Sequence, residues 1–181
     1  MHHHSDQMDT TSSTMTNILK ARHGDRVAEY ALPPPVFVAM EGEFIDFDPD
    51  AGRLSARFPI RESQLNPYGS MQGGMIAAAV DNTLGPLSML VAPPNVTRHL
   101  EMTYSRPVKL EMGYITVHAR LVERQDRWLH FKADVRGPDG TRLAKAKATH
   151  WILKAMDKRS NLPPPEQDPI VQPPTEREER F

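Results

Sequence analysis

The run 66-NPYGSMQGGMIAAAVDN-82 joins a turn-forming segment to two adjacent glycines and then to the most apolar stretch of the chain, with one carboxylate, Asp81, inside it. Apolar character continues through Leu87, Met89 and Leu90 to Val91-Ala92 and stops at Pro93-Pro94. A run of roughly 18 residues is a helix, because strands seldom exceed about 8. Gly85-Pro86 is expected to kink or weaken its second half, since proline lacks a backbone donor and crowds the preceding turn.

Strands flank this helix on both sides. "VFVAMEGEFIDFD" (36–48) reads as one strand, Asp48-Pro49-Asp50-Ala51-Gly52 as a turn, and "RLSARFPI" as a second strand with Leu54, Ala56 and Phe58 on one face. Four strand-like runs follow the helix, and three alternate cleanly. In 114–122, Ile115, Val117, Ala119 and Leu121 oppose Tyr114, Thr116, His118 and Arg120. In 128–136, Leu129, Phe131, Ala133 and Val135 share a face, and "GPDG" at 137–140 makes a hairpin turn. In 142–152, Ala144, Ala146, Ala148 and Ile152 oppose Lys145, Lys147, Thr149 and Trp151. Period-two alternation gives each strand one buried face. The expectation is an α+β unit in which one long helix covers the dry side of an antiparallel sheet. A helix that is apolar nearly all round needs cover on most sides. One sheet cannot supply it, so a second subunit is expected on the remaining side.

The 181 residues suit one domain with tails. Residues 1–35 read as a polar N-terminal tail with a short helix near 17–30, ended by Pro33, Pro34 and Pro35. Residues 36–155 form the folded unit, and 156–181 a solvated Pro/Glu-rich tail. The 22 Lys+Arg nearly balance 23 Asp+Glu, which argues against a nucleic-acid or anionic-membrane partner. There is no Cys, so disulfides, thiolate metal sites and Cys nucleophiles are excluded. No unbroken apolar run reaches the ~18 residues of a membrane span, and no secretory signal opens the chain. The expected location is the cytoplasm. His2, His3 and His4 read as a tag or a natural start and offer no fixed metal geometry.

Two readings fit Asp81 and the glycines. Gly73-Gly74 can serve close packing or a tight entry turn, and Asp81 can be a buried carboxylate satisfied by backbone groups. Alternatively, a carboxylate among Ala77, Ala78, Ala79, Val80 and Leu84, with no cationic residue within one helical turn, is there to be used. The helix N-terminus at Gly73-Gly74 offers free N–H groups and the positive end of the dipole, a candidate oxyanion hole. Carboxylate and oxyanion donor together suffice for acyl transfer, with Asp81 activating water or attacking the carbonyl itself. Asn66, in the entry loop, is placed to hold water or carbonyl. No G-x-S-x-G is present. Gly73 and Asp81 lie about 12 Å apart along one helix, at ~1.5 Å per residue. One carbonyl cannot touch both in one chain, so if both act, the site is shared between two antiparallel helices of a dimer.

The pattern N-x-x-G-x-x-Q-G-G-x6-D, at Asn66, Gly69, Gln72, Gly73, Gly74 and Asp81, resembles that of the PaaI-like (phenylacetate-pathway) hotdog-fold acyl-CoA thioesterases. "VTRHLEMTYSRPV" resembles that family's T-x-x-L-x-V-x-F-x-R-P, here Thr97, Leu100, Met102, Tyr104, Arg106 and Pro107, and "GPDGTRLAKAKATH" its penultimate hairpin and last strand. The resemblance covers about residues 36–154. It implies a hotdog fold, a curved antiparallel sheet of about five to six strands wrapped around one long central helix, in homodimers that pair into tetramers. It implies an acyl-CoA substrate, no cofactor beyond the substrate's own coenzyme A, and an acyl chain lying between two central helices. Asp81 would be nucleophile or base, Gly73 the oxyanion donor, and Asn66 and Gln72 their catalytic companions. Gly74, Met75 and Thr97 would contact substrate, with Met71, Met89 and Leu84 candidate pocket residues. The family places His where this chain has Gln72; an amide keeps hydrogen bonding but cannot change charge near neutral pH.

Two other functions compete. A non-catalytic acyl-CoA or lipid-binding hotdog module fits the Gln72 departure. An enoyl-CoA hydratase of this fold uses an Asp and a His in D-x-N-P-x-H, where this chain carries Gln64 and Gly69. Lys145 and Lys147 could meet coenzyme A phosphates or form a solvated face. His99, His118, His130 and His150 show no metal-ligand spacing and read as surface or satisfied core histidines, although His99 and His150 could lie near the cleft. Trp128 and Trp151, on the outward side, suggest a contact surface.

Overall fold

The central helix, Gly73–Val91, lies across one face of a six-stranded antiparallel sheet. In the computed structural model, residues 17–21 and 23–153 are described, with the side chains of Arg26, Val27 and Glu29 left aside. The outer tail segments, 1–16 and 156–181, lie outside the described residues. The strands are β1 (Glu43–Asp48), β2 (Arg53–Pro59), β3 (Asn95–Tyr104), β4 (Tyr114–Gln125), β5 (Trp128–Arg136) and β6 (Arg142–Ile152). Their order across the sheet is β1-β2-β4-β5-β6-β3. The chain therefore makes two strands, crosses by the helix, and returns with four. This is the curved hotdog architecture that the resemblance implied.

The alternating residues land as their spacing requires. Ile115, Val117, Ala119, Leu129, Phe131, Ala133, Val135, Ala144, Ala146 and Ala148 are all buried in one core. From the helix, Ile76, Val80, Leu84 and Leu87 enter the same core. The helix packs against β2, β3, β4 and β5. By length and composition the helix would also pass for a membrane span. Here eight of its residues (Ile76, Ala79, Val80, Thr83, Leu84, Leu87, Ser88, Leu90) are buried, as befits a core helix. It runs unbroken through Pro86, so the expected kink does not end it. The Asn82 amide donates to Ala78 O at 2.9 Å and the Ser88 hydroxyl to Gly85 O at 2.7 Å, bracketing the proline with local support.

Two expectations are corrected. Residues 36–40 are not strand: Pro35–Ala39 is a short helix, with Phe37 and Met40 buried and Val36 and Val38 exposed. Proline at the first helical position is pre-set for the helix, and i, i+3 spacing sends Phe37 and Met40 inward together. The Phe37 ring stacks on Phe44 at 4.4 Å and meets Phe58 edge-on at 5.6 Å. Gly42 makes this possible, since a Cβ there would sit 2.6 Å from the Phe37 ring. The N-terminal segment holds the expected short helix, at 17–21 with His23 also helical, before a 3-10 turn over Gly24–Glu29. Second, Trp151 is buried, not displayed. It packs edge-on to half-buried Trp128 at 4.5 Å, with the Arg127 guanidinium 4.3 Å above its ring. Cation–π and aromatic contact consume a surface that the strand pattern left open.

Phe37 anchors the entry segment against β1 and β2. Phe37→Ala is expected to lower unfolding free energy by about 3–5 kcal/mol, read from urea denaturation followed by circular dichroism; a loss within ~0.5 kcal/mol would show that the short helix is dispensable to the core.

Candidate active site

The helix presents two unlike faces. Its sheet side is buried, and its other side carries Gly74, Ala77, Ala78, Asp81, Gly85 and Met89, none of them buried. Asp81 is exposed in the single chain. The reading of a carboxylate enclosed in apolar surroundings is therefore corrected. A helix turns about 100° per residue, so Asp81 cannot share the inward direction of Val80 and Leu84.

Beside Asp81 opens a cavity of about 310 Å³. Asp81, Asn82, Gly85 and Met89 line it from the helix, Asn95, Thr97 and His150 from β3 and β6, and Leu19, Leu32, Pro33 and Pro34 from the N-terminal segment. That segment is pinned by a 2.7 Å hydrogen bond between the His23 ring and Met89 O. Of the suggested pocket residues, Met89 lines the cavity, whereas Leu84 and Met71 are buried in the core and Met75 lies elsewhere on the helix.

Four polar side chains run from the cavity mouth into the sheet. The Thr97 hydroxyl donates to Asp81 Oδ1 at 3.0 Å and lies 3.3 Å from His150 Nε2. His150 Nδ1 is 2.9 Å from Asn95 Oδ1, and Asn95 Nδ2 donates to Pro93 O at 2.9 Å. His150 is buried at 1% exposure, its ring edge-on to Phe131 at 4.8 Å. Burial pushes its pKa down to about 4, against the weaker upward pull of the Asp81 charge, so the imidazole is neutral at pH 7. Sequence reading reaches His150 only as one of two histidines that could lie near the cleft, and does not reach Asn95. The signal was a His on the Ala face of β6, which reads equally well as a satisfied core histidine.

The helix N-terminus is a separate cluster. Gln72 caps it by backbone geometry alone; its carbonyl accepts from Met75 N and Ile76 N, and its side chain is exposed. The first N–H groups of a helix lack intrahelical partners, so those of Gly73 and Gly74 are available donors. Tyr104 donates to Gly73 O at 2.8 Å, and its ring would meet a Cβ on Gly73 at 3.3 Å. Glycine keeps that position open. A Cβ on Gly74 would meet nothing within 4 Å. Asn66 builds the loop: its Oδ1 accepts from Tyr68 N at 2.9 Å and Ser70 N at 3.2 Å. The structure thus brings Asp81 and Thr97 together, and Asn66, Gln72, Gly73 and Gly74 together, as two groups. Among the described residues, no three His, Cys, Asp or Glu side chains are placed to hold a metal ion. Lys145 and Lys147 lie on the outer face of the sheet, opposite to Asp81, in a groove with Arg53, Arg120, Lys132 and Arg142.

Residues 68–144 match the thioesterase superfamily. A phenylacetic acid degradation-related protein from Ralstonia eutropha JMP134 is 27% identical with a TM-score of 0.62, over 70% of this chain and 97% of that one. The PaaI protein of the E. coli phenylacetic acid degradation operon shares the fold at 13% identity and TM-score 0.66, over 78% of this chain and 98% of that one. A Streptococcus mutans UA159 protein bound to acetyl-CoA shares it at 23% identity and TM-score 0.56, over 60% of this chain and 86% of that one. No curated protein matches the chain. Fold and motif together resemble the PaaI-like hotdog thioesterases.

The His150 pKa is lowered to about 4 from an ordinary 6.5, so between those values the unfolded chain binds a proton that the folded one refuses. Stability from this group is complete above pH 6.5, falls as pH drops through the window, and stays low beneath about 4. The loss is roughly 3 kcal/mol, at ~1.4 kcal/mol per pH unit of separation. Chemical denaturation between pH 4 and 7 should show a shallower slope in His150→Gln than in wild type; equal slopes would count against a neutral buried imidazole.

Proposed function

From a hotdog domain matching the thioesterase superfamily, we propose that the protein is an acyl-CoA thioesterase, cleaving the thioester to free acid and coenzyme A at a site shared by two subunits. The observation that carries this reading is Asp81 lining a cavity, with one oxygen held by the Thr97 hydroxyl. The other oxygen is available to water. Asp81 takes a proton as that water attacks the carbonyl carbon, and returns it to the departing sulfur. The developing oxyanion is met by the Gly73 N–H, aided by the Asn66 NH2 and the side chain of Gln72, with Gly74 leaving the approach clear and Met75 flanking it. No cofactor is required beyond the coenzyme A of the substrate.

The dimer follows from the same helix. Gly73 and Asp81 stand about 12 Å apart in one chain, too far for one carbonyl. A second helix laid antiparallel on the small-residue face, Gly74, Ala77, Ala78 and Gly85, would bring the Gly73 of one chain to the Asp81 of the other. β3 is an edge strand, so sheets can also join there. The cavity volume of about 310 Å³ suggests the acyl class. An apolar void of ~150 Å³ holds a benzene ring, so roughly twice that suits an arylacetyl or medium-length acyl group and not a long chain. The cytoplasm, where acyl-CoA is made and used, is the proposed location.

Asp81→Asn is expected to cut CoA release by about 10²-fold or more while the oligomer stays folded. Across an acyl-CoA panel, wild-type kcat/KM should peak at arylacetyl or medium chains and drop for palmitoyl. Binding of acyl-CoA without turnover by wild type would instead identify a non-catalytic carrier. Mixing Asp81→Asn with Gly73→Val subunits tests the shared site: heterodimers regain one intact site, restoring about a quarter of wild-type activity by random pairing. No recovery would place the whole site within one chain.

A further inference from the structure

We propose that His150, oriented by Asn95, is a positioning residue that accepts a hydrogen bond from the Thr97 hydroxyl when Asp81 is protonated and so makes Asp81 a better base; this rests on the thioesterase reading above. The polarity of the chain of bonds can be worked out from its inner end. A backbone carbonyl only accepts, so Asn95 must turn its Nδ2 to Pro93 O, 2.9 Å away. Its Oδ1 then faces His150 Nδ1 at 2.9 Å, and an amide oxygen also only accepts. The ring therefore carries its proton on Nδ1, and a neutral ring leaves a lone pair on Nε2. That lone pair is directed at Thr97 Oγ1, 3.3 Å away.

The Thr97 hydroxyl has one proton and two acceptors, Asp81 Oδ1 at 3.0 Å and His150 Nε2 at 3.3 Å. While Asp81 is ionised, the carboxylate is the stronger acceptor and takes the bond. When Asp81 receives the proton of the attacking water, that oxygen becomes a donor. The Asp81 O–H can then donate to Thr97 Oγ1, while the threonine proton rotates to His150 Nε2. Every group remains partnered. The imidazole gains no net proton: a water O–H bond breaks, an Asp81 O–H bond forms, water oxygen joins the acyl carbon, and collapse breaks C–S as the Asp81 proton passes to sulfur. His150 thus favours the protonated carboxyl without touching substrate.

The surroundings keep this arrangement selective. The imidazole faces Asp81 from the helix, Asn95 and Thr97 from β3, and Leu129 and Phe131 from β5. The N-terminal segment contributes Leu19, Leu32, Pro33 and Pro34 to the cavity. Among the described residues, Asp81 is the one other titratable group lining the cavity, and its charge acts on the ring. An imidazolium would instead point an N–H at Thr97 Oγ1 and hold the threonine proton on Asp81, opposing the step.

The experiment is a pH–rate profile with steady-state kcat and KM for His150→Leu, His150→Gln and Asn95→Asp, with Asp81→Asn as the control on the underlying reading. His150→Leu should lower kcat about tenfold, less than loss of the base itself, with KM within about twofold and the acid limb of the profile moved to lower pH. His150→Gln, whose amide oxygen can accept, should recover most of kcat. Asn95→Asp sets a carboxylate opposite Nδ1–H and favours the imidazolium, so activity near neutrality should fall and return at higher pH. Wild-type kcat and profile in His150→Leu, or equal losses in the Leu and Gln variants with an unmoved acid limb, would overturn the proposal. If His150→Leu does not fold, the Gln and Asp substitutions decide the matter by the same limb. Full turnover in Asp81→Asn would reject the base assignment itself, a result distinct from either.

Discussion

Everything at the site depends on the central helix having one face for the sheet and another left uncovered. Val80 and Leu84 are fully buried against the strands, while Asp81, between them in sequence, points away from the core. The rotation per residue of an α-helix allows no other outcome once Val80 and Leu84 are committed inward. Burying the apolar face holds the helix in place, and that in turn fixes the carboxylate over the Ala-lined strands. A core packing decision and a chemical one are the same decision here.

The inner polar residues are costly to place and correspondingly constrained. His150 sits on a face otherwise built from alanines, where a charged ring would lose its hydration. Neutrality is therefore the form this environment selects, and a neutral imidazole must be one donor and one acceptor. Asn95, fixed by Pro93 at the end of the helix-to-strand turn, determines which nitrogen is which. The loop that ends the helix thus reaches, through two side chains, the hydroxyl beside the carboxylate. The same burial that weakens the fold in acid keeps the ring able to accept.

Strand patterning survived from sequence to structure because its cause is local. Residues of β4, β5 and β6 alternate, and a pleated strand has no choice but to send alternate side chains to opposite faces. The two failures came from contacts between distant residues. The valines at 36 and 38 favour a strand by propensity, but the burial of Phe37 with Phe44 and Phe58 made a helical turn the better solution. Trp151 alternates to the outer face as expected, yet Arg127 and Trp128 cover it there. Alternation assigns a side, not an exposure.

Chain order alone was enough to establish a long helix between two strands and four, an apolar sheet face, and a glycine pair and carboxylate two turns apart on that helix. Each follows from periodicity or from the geometry of one element. Residues 66, 73 and 81 could be named for the same reason, Asn66 being where a turn demands an Asx side chain, whereas Thr97 entered only through the family resemblance. The partnership of Asp81, Thr97, His150 and Asn95 could not be read that way. It joins a helix to two strands paired at the sheet edge, across separations of 16, 53 and 55 residues. Which histidine sits beneath the carboxylate, and in which protonation state, depends on the register of β6 against β3 and on the solvent excluded by that pairing. Those are properties of the packed sheet, and no local pattern carries them.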